Sequence, residues 1–245
     1  FYPLEWLFSF FTDTLITIND EDYSLAKKHM HANKIVKING IGVDIENRWL
    51  VTDVERKEAL HSIRQELNIP EDAFLLSSVG ELSERKNHRV VLEALQLMSP
   101  EELSHVYYVI AGTGNNGNLL QGLAQSFDFE KHFHLLGYRS DIHAINYASD
   151  ISIFSSLREG LGVAGLDATV DGTYLLGAKR RGISDYIRDG ENGYLFEPDS
   201  PEELCQLIRK CLNFVPKTKY FDFLKRFDYR KVDEVMRSLY GGYER

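Results

Sequence analysis

The segment that most constrains this chain is Ile151-Ser152-Ile153-Phe154 together with the loop and helix after it. A short apolar run leads into the polar, glycine-containing loop Ser155-Ser156-Leu157-Arg158-Glu159-Gly160-Leu161-Gly162, and then into the helix-compatible stretch Val163 to Asp171. Strand, loop and helix in that order form the unit of a doubly wound α/β sheet, whose ligands sit beyond the carboxyl ends of the strands. Gly160 and Gly162 remove two side chains where the helix begins, so backbone N–H groups there can face an anion. Glu159 stands just before them and Asp167 lies inside the helix. The local pattern is an anion site with an acid on either side.

The same unit recurs along the chain. Strands are expected at Thr14–Ile18, Lys34–Ile38, Phe74–Val79, Val106–Ala111, His132–Leu136, Ile151–Phe154 and Thr173–Gly177, with a short apolar run at Tyr194–Phe196. Helices are expected from Asp20, with acids in the first turn and Lys27, Lys28 and His29 at the far end, and over about Asp53–Leu67. Further helices fall at Asn87–Met98, Gly117–Phe127, Asp141–Ala148, Val163–Val170 and from Pro201, where proline sits just inside the start. Strands alternating with helices predict an α/β fold with a parallel sheet covered on both faces.

The chain has 245 residues, enough to bury a sizeable core, and 43% hydrophobic with 27% charged residues is ordinary for a globular protein. A formal net charge of −9 gives the whole chain no basic footprint for nucleic acid. No apolar run approaches the roughly 18 residues of a spanning helix. The aromatic segment Phe1 to Phe11 contains Glu5 and has no basic region, so it does not read as a signal peptide. Core or interdomain packing is expected for it, with a membrane-surface helix as the alternative. Cys205 and Cys211 lie roughly 240° apart around their helix, which excludes a metal pair and implies no disulfide framework; a reducing cytosol is the default.

Five motifs, in order, carry a resemblance. They are Ser78-Val79-Gly80-Glu81-Leu82 with Arg85-Lys86-Asn87-His88, then Val109-Ile110-Ala111-Gly112-Thr113-Gly114, Leu136-Gly137-Tyr138-Arg139-Ser140-Asp141, the loop Ser155 to Gly162 with Asp167, and Asp189-Gly190-Glu191-Asn192-Gly193-Tyr194-Leu195-Phe196. Together they resemble the retaining group 1 (family 4) glycosyltransferases over roughly residues 70–215. The resemblance implies the Rossmann-like carboxyl-terminal half of a GT-B fold, binding a nucleotide-diphosphate sugar as co-substrate without a metal or other cofactor. It divides the chain into a remnant of an amino-terminal acceptor domain with the interdomain crossing (1–48), the nucleotide-sugar-binding domain (49–215) and a helical tail (216–245). Most of the acceptor domain would then be missing. Arg181-Gly182-Ile183-Ser184-Asp185-Tyr186-Ile187 resembles members that build bacterial surface polysaccharides, which implies a glycan or lipid-linked acceptor and work in the cytoplasm, at or near the inner membrane surface.

Each site residue carries two readings. Lys86, beside Arg85 in the loop after Phe74–Val79, is either the ammonium that neutralises a leaving diphosphate or a solvated lysine. The family often has Arg where this chain has Glu81, so one phosphate contact is absent unless Arg85 supplies it. Glu159 either accepts hydrogen bonds from the transferred sugar or stabilises the helix start. Asp167 stands where the family has a second glutamate holding the ribose; the other reading is an exposed helix acid. Gly80, Gly112, Gly114, Gly160, Leu161, Gly162 and Val163 would line the nucleotide-sugar cleft with their backbone.

Gly112-Thr113-Gly114-Asn115-Asn116-Gly117 formally matches the dinucleotide fingerprint, but the acid that should end the next strand is replaced by Gly137-Tyr138-Arg139. A turn lining a nucleotide cleft fits better, with Tyr138 and Arg139 near the base or in a plain surface loop. His132 and His134 alternate on one strand face without a carboxylate at ligand spacing and read as ordinary histidines. No serine elbow, H-E-x-x-H or Walker loop is present. After Asp167, Tyr174 takes the family's proline position, and Thr169, Val170 and Asp171 replace better helix formers. The expectation is a donor domain of a glycosyltransferase, with a non-catalytic binding module or a sugar-nucleotide epimerase as alternatives.

Overall fold

The structure is a computed structural model, and it describes residues 2–214 and 220–241. Its first part is a small α/β unit: α1 (Tyr2–Ser9), β1 (Thr14–Thr17), α2 (Asp20–His29) and β2 (Lys34–Lys37), with β1 and β2 paired in parallel. Asn19 caps α2 by accepting from the Asp22 N–H at 2.7 Å. The chain crosses through α3 (Ile45–Trp49) and α4 (Asp53–Glu66) into a larger unit. A reciprocal Thr52–Glu55 capping box starts α4.

The larger unit continues with β3 (Phe74–Val79), a 3-10 turn at Glu84–Lys86, α5 (Arg89–Gln96), α6 (Pro100–Leu103), β4 (Val106–Ala111), α7 (Gly117–Gln125), β5 (Phe133–Gly137), α8 (Ile142–Ala148) and β6 (Ile151–Phe154). It closes with α9 (Val163–Val170), β7 (Tyr174–Ala178), β8 (Gly193–Phe196) and α10 (Pro201–Asn213). The six strands of this unit are all parallel in the order β5-β4-β3-β6-β7-β8. The order reverses between β3 and β6, which defines the switch point of a doubly wound, Rossmann-like sheet.

Burial follows from that architecture. Leu75 and Leu76 point to opposite faces of β3, yet both are fully buried, as are Val109 and Ile110 of β4. α5 presents Val90, Val91, Ala94 and Leu95 inward, and α10 presents Leu204, Ile208 and Cys211. Truncating Leu76 or Ile110 to Ala is expected to cost about 2–5 kcal/mol. Cys205 and Cys211 are both buried free thiols, and burial pushes the Cys211 thiol up to about 11.

One expectation needs correction. The aromatic start of the chain is not packed away: Tyr2, Leu4, Trp6, Phe8 and Phe10 all stay exposed, and only Ser9 of α1 is buried. Its helix is too short to bury a face by itself, and β1 and β2 offer only a narrow sheet to cover. The described part of the tail is helical, as expected, and packs back onto the chain. A 3-10 segment at Asp222–Phe227 and α11 (Tyr229–Tyr240) return to the crossing, where Val43 and Asp228 form a parallel bridge. Residues 215–219 and 242–245 lie outside the described set. No helix among the described residues is long and apolar enough to cross a membrane.

Candidate functional site

The loops leaving β3 and β6 meet beside the switch point. The Leu157 N–H donates to the Arg85 carbonyl at 2.9 Å, and Ser155 Oγ donates to the Lys86 carbonyl at 2.9 Å. These bonds hold Lys86 against the start of the α9 loop. Its Nζ donates to Glu159 Oε1 at 2.6 Å and sits 5.0 Å from the centre of the Phe154 ring. Arg85 joins from outside, with Nη1 3.3 Å from the same carboxylate oxygen and Nη2 3.8 Å from Glu81. Both members of the central pair are largely covered, at 13% and 11% side-chain exposure.

The other side of the site is the amino end of α9. Gly162 adopts φ +80°, and a Cβ there would fall 2.5 Å from the Phe154 ring, so only glycine gives the chain this entry. The first intrahelical bonds run from Gly165 and Leu166 back to the Gly162 carbonyl, leaving the N–H groups of Val163 and Ala164 ahead of the ladder. Leu161 is buried and Gly160 faces Ile18 of the first unit. Gly112 and Gly114 serve an adjoining turn, locked to the β3 loop by Gly80 N–H to the Ala111 carbonyl and Leu82 N–H to the Thr113 carbonyl. Thus Gly80, Gly112 and Gly114 join Arg85 and Lys86 in one packed set of loops, and Glu159, Gly160, Leu161, Gly162 and Val163 belong to the loop and helix start that Lys86 meets.

Two residues singled out in the sequence, Tyr138 and Arg139, stand apart. Tyr138 is 83% exposed. Arg139 is forked between Glu66 of α4 and Asp141, which holds the Glu66 and Asp141 carboxyls below their usual range. Neither touches the Lys86–Glu159 pair. Asp167 lies one turn into α9, where Arg48 Nη1 donates to its Oδ1 at 2.6 Å. Burial raises its carboxyl pKa despite that cation.

Several participants went unseen in the sequence. Arg48 also contacts Asp171 at 3.2 Å and His143 Nδ1 at 2.6 Å, and Asp171 accepts from Asn146 at 2.7 Å. Nothing in sequence joins residues 119 positions apart. His88 is 4% exposed beneath the β3 loop, with Nε2 3.2 Å from the Glu81 carbonyl. Burial, reinforced by Lys86, lowers its pKa to about 4. His132 and His134 stack on Tyr107, with His132 at 4.4 Å between ring centres, and no group able to hold a metal occurs among the described residues.

Residues 61–222 match the profile of the family described as glycosyl transferases group 1. The chain belongs to that family. It is 36% identical over 198 residues to EpsD of Bacillus subtilis, assigned as a glycosyltransferase, covering 80% of this chain and 51% of that protein. It is 27% identical over 238 residues to the UDP-Gal:alpha-D-GlcNAc-diphosphoundecaprenol alpha-1,3-galactosyltransferase of Escherichia coli, covering 94% of this chain and 60% of that one. The chain therefore spans about half to three-fifths of the length of these relatives. Among solved structures, Anabaena HepE in complex with UDP and glucose superposes with a TM-score of 0.81 at 20% identity, over 98% of this chain and 66% of that one. At that identity the likeness is one of fold, and the fold is GT-B.

Proposed function

We propose that this chain is the donor-binding part of a retaining, family 4-like glycosyltransferase. It would take a sugar from a nucleoside diphosphate sugar and pass it to a glycan or lipid-linked acceptor in surface polysaccharide assembly. The observation that carries this reading is the Lys86–Glu159 pair at the switch point, one member from each flanking loop. Lys86 has three N–H donors and gives one to Glu159, so the others remain for phosphate oxygens. With Arg85 and the first N–H groups of α9 it would hold the diphosphate and neutralise charge as the glycosidic bond breaks. This reading needs no resident metal, because the chain's own cations supply the positive charge.

Glu159 would accept hydrogen bonds from the transferred sugar. Asp167 would take a ribose hydroxyl through Oδ2, since Arg48 uses Oδ1. The E. coli relative is named for a UDP-sugar donor and a diphosphoundecaprenol-linked acceptor, and HepE was solved with UDP and glucose; both favour a UDP-sugar here. The exposed aromatic row of α1 supports peripheral contact with a membrane surface, with action on its cytoplasmic side.

Calorimetric titration with UDP and GDP tests the reading. Saturable binding of either supports it, and no heat at millimolar nucleotide removes it. Turnover of a UDP-sugar to its epimer without any acceptor would favour an epimerase on the same scaffold.

A further inference from the structure

The loops after β6 and β7 form one wall of a cleft of about 650 Å³, whose other wall is the start of α2. Arg158, Lys179, Arg180 and Arg181 line it, against Asp20, Glu21 and Asp185. We infer that this cleft is an anion subsite for a phosphate or diphosphate group carried by the acceptor. The inference deepens the donor-binding reading above and rests on it.

The charges on the cleft are unequally spent. Asp20 is paired with Lys37, and Asp185 accepts the Asp20 N–H at 2.9 Å. Arg181 is held by Asp22 at 2.7 Å. Lys179 and Arg180 reach only Glu197 and Asp199, exposed acids at 3.2 to 3.9 Å, and such pairs are weak. Arg158 has no acid partner among the described residues. Three cations thus remain available in a chain whose net charge is −9, and the acids opposing them are Glu21 and Asp185, whose carboxylate keeps its charge while accepting the Asp20 N–H. An excess of positive charge in a concave site attracts multivalent anions ahead of monovalent ones.

The cleft also has a fixed relation to the transfer site. Arg158 immediately precedes Glu159 in the same loop. A Cβ on Gly182, at φ +77°, would lie 2.3 Å from the Gly160 carbonyl, so the β7 loop rests directly on the β6 loop. Asn19 Nδ2 donates to that carbonyl at 2.8 Å, which ties α2 to the junction. An anion on Arg158, Lys179 and Arg180 is therefore held beside Glu159 but on the α2 side, whereas Lys86 and Arg85 approach from the β3 loop. Two neighbouring anion sites suit a donor diphosphate and a phosphorylated acceptor held side by side.

The test is titration of the 245-residue chain with inorganic pyrophosphate in the presence of saturating UDP. We expect pyrophosphate to bind, and Arg158→Gln combined with Lys179→Gln to weaken it about 10-fold or more, the loss of one or two charge-assisted contacts. UDP affinity and melting temperature should stay as in wild type, because both side chains are exposed. Farnesyl diphosphate binding more tightly than pyrophosphate, with the same sensitivity to the substitutions, would assign the anion to a prenyl diphosphate. Equal binding, equally sensitive, would assign it to a soluble phosphate, and either result supports the subsite. If UDP abolishes pyrophosphate binding, or the double variant binds it unchanged, the subsite is overturned. If UDP does not bind at all while pyrophosphate still depends on Arg158 and Lys179, the donor reading fails and the anion cleft stands.

Discussion

Two cation–carboxylate clusters border α9, and burial does not tell them apart. Lys86 and Glu159 are 13% and 11% exposed, while Arg48 and Asp167 are 10% and 24% exposed. Their connectivity differs. Lys86 meets one carboxylate and lies between two loops at the open edge of the sheet. Arg48 meets Asp167, Asp171 and His143, and so fastens α3, α8 and α9 together, with Asp171 fully covered. A cation with donors to spare at a strand edge is available to a ligand; one shared among several helices serves the fold. Counting partners separates the two where counting exposed area does not.

The largest effect should come from breaking the buried cluster. Arg48→Ala leaves Asp171 without its main cation, and removing one partner of a buried pair costs about 3–5 kcal/mol. A fall in melting temperature on the order of 10 °C is expected by calorimetry; a change near zero would erase the structural half of the contrast. Lys86→Ala should instead leave the melting temperature within a degree or two. It should weaken UDP binding about 10- to 100-fold, the worth of a charge-assisted contact of roughly 1.5–3 kcal/mol. Titration showing wild-type affinity would take the phosphate role from Lys86.

A smaller effect is set by pH. His88 has its folded pKa lowered to about 4 from an ordinary 6.5, so the unfolded chain binds its proton first as pH drops. Its contribution is fully present above the unfolded value near 6.5 and is lost as pH falls toward 4. The slope is about 1.4 kcal/mol per pH unit at most. Urea melts of wild type and His88→Gln across that window should converge at low pH; parallel curves would mean that His88 does not titrate as its burial dictates. The smallest effect concerns Glu159→Gln. Losing the carboxylate frees Lys86, so UDP affinity should hold or rise about two- to fivefold, while UDP-sugar binding drops. Weaker UDP binding would show that Glu159 positions Lys86 instead of competing for it.

Much of the larger unit was legible in the sequence because apolar runs and glycine turns are local. Phe74–Val79, Val106–Ala111 and Ile151–Phe154 occupy the strands expected for them to the residue, and Val163–Val170 the expected helix. Lys86 and Glu159 were readable as candidates because each comes after a strand. Their mutual contact was not, since it depends on the switch between β3 and β6. Arg48 escaped notice altogether: an arginine in a short crossing helix has no periodic signature, and its acids lie on an element more than a hundred positions away. Arg139 shows the converse. A loop position after β5 placed it near the base, but Glu66, at the far end of α4, takes up its fork.

The return of the tail to Val43 has a mechanical consequence. The Val43 N–H donates to the Phe227 carbonyl at 2.9 Å, and the Tyr229 N–H donates to the Val43 carbonyl at 3.0 Å. Outgoing and returning chain therefore run side by side through one bridge, like the two leaves of a pin hinge. Across the gap beside the Arg158 loop, α2 is tied to the larger unit by Asn19 Nδ2 to the Gly160 carbonyl, the Asp20 N–H to Asp185, and Arg181 to Asp22. Straight separation of the two units has to break them. The joint at Val43 and Asp228 is therefore braced from the side by α2, and any widening of the cleft has to break these side-chain bonds first.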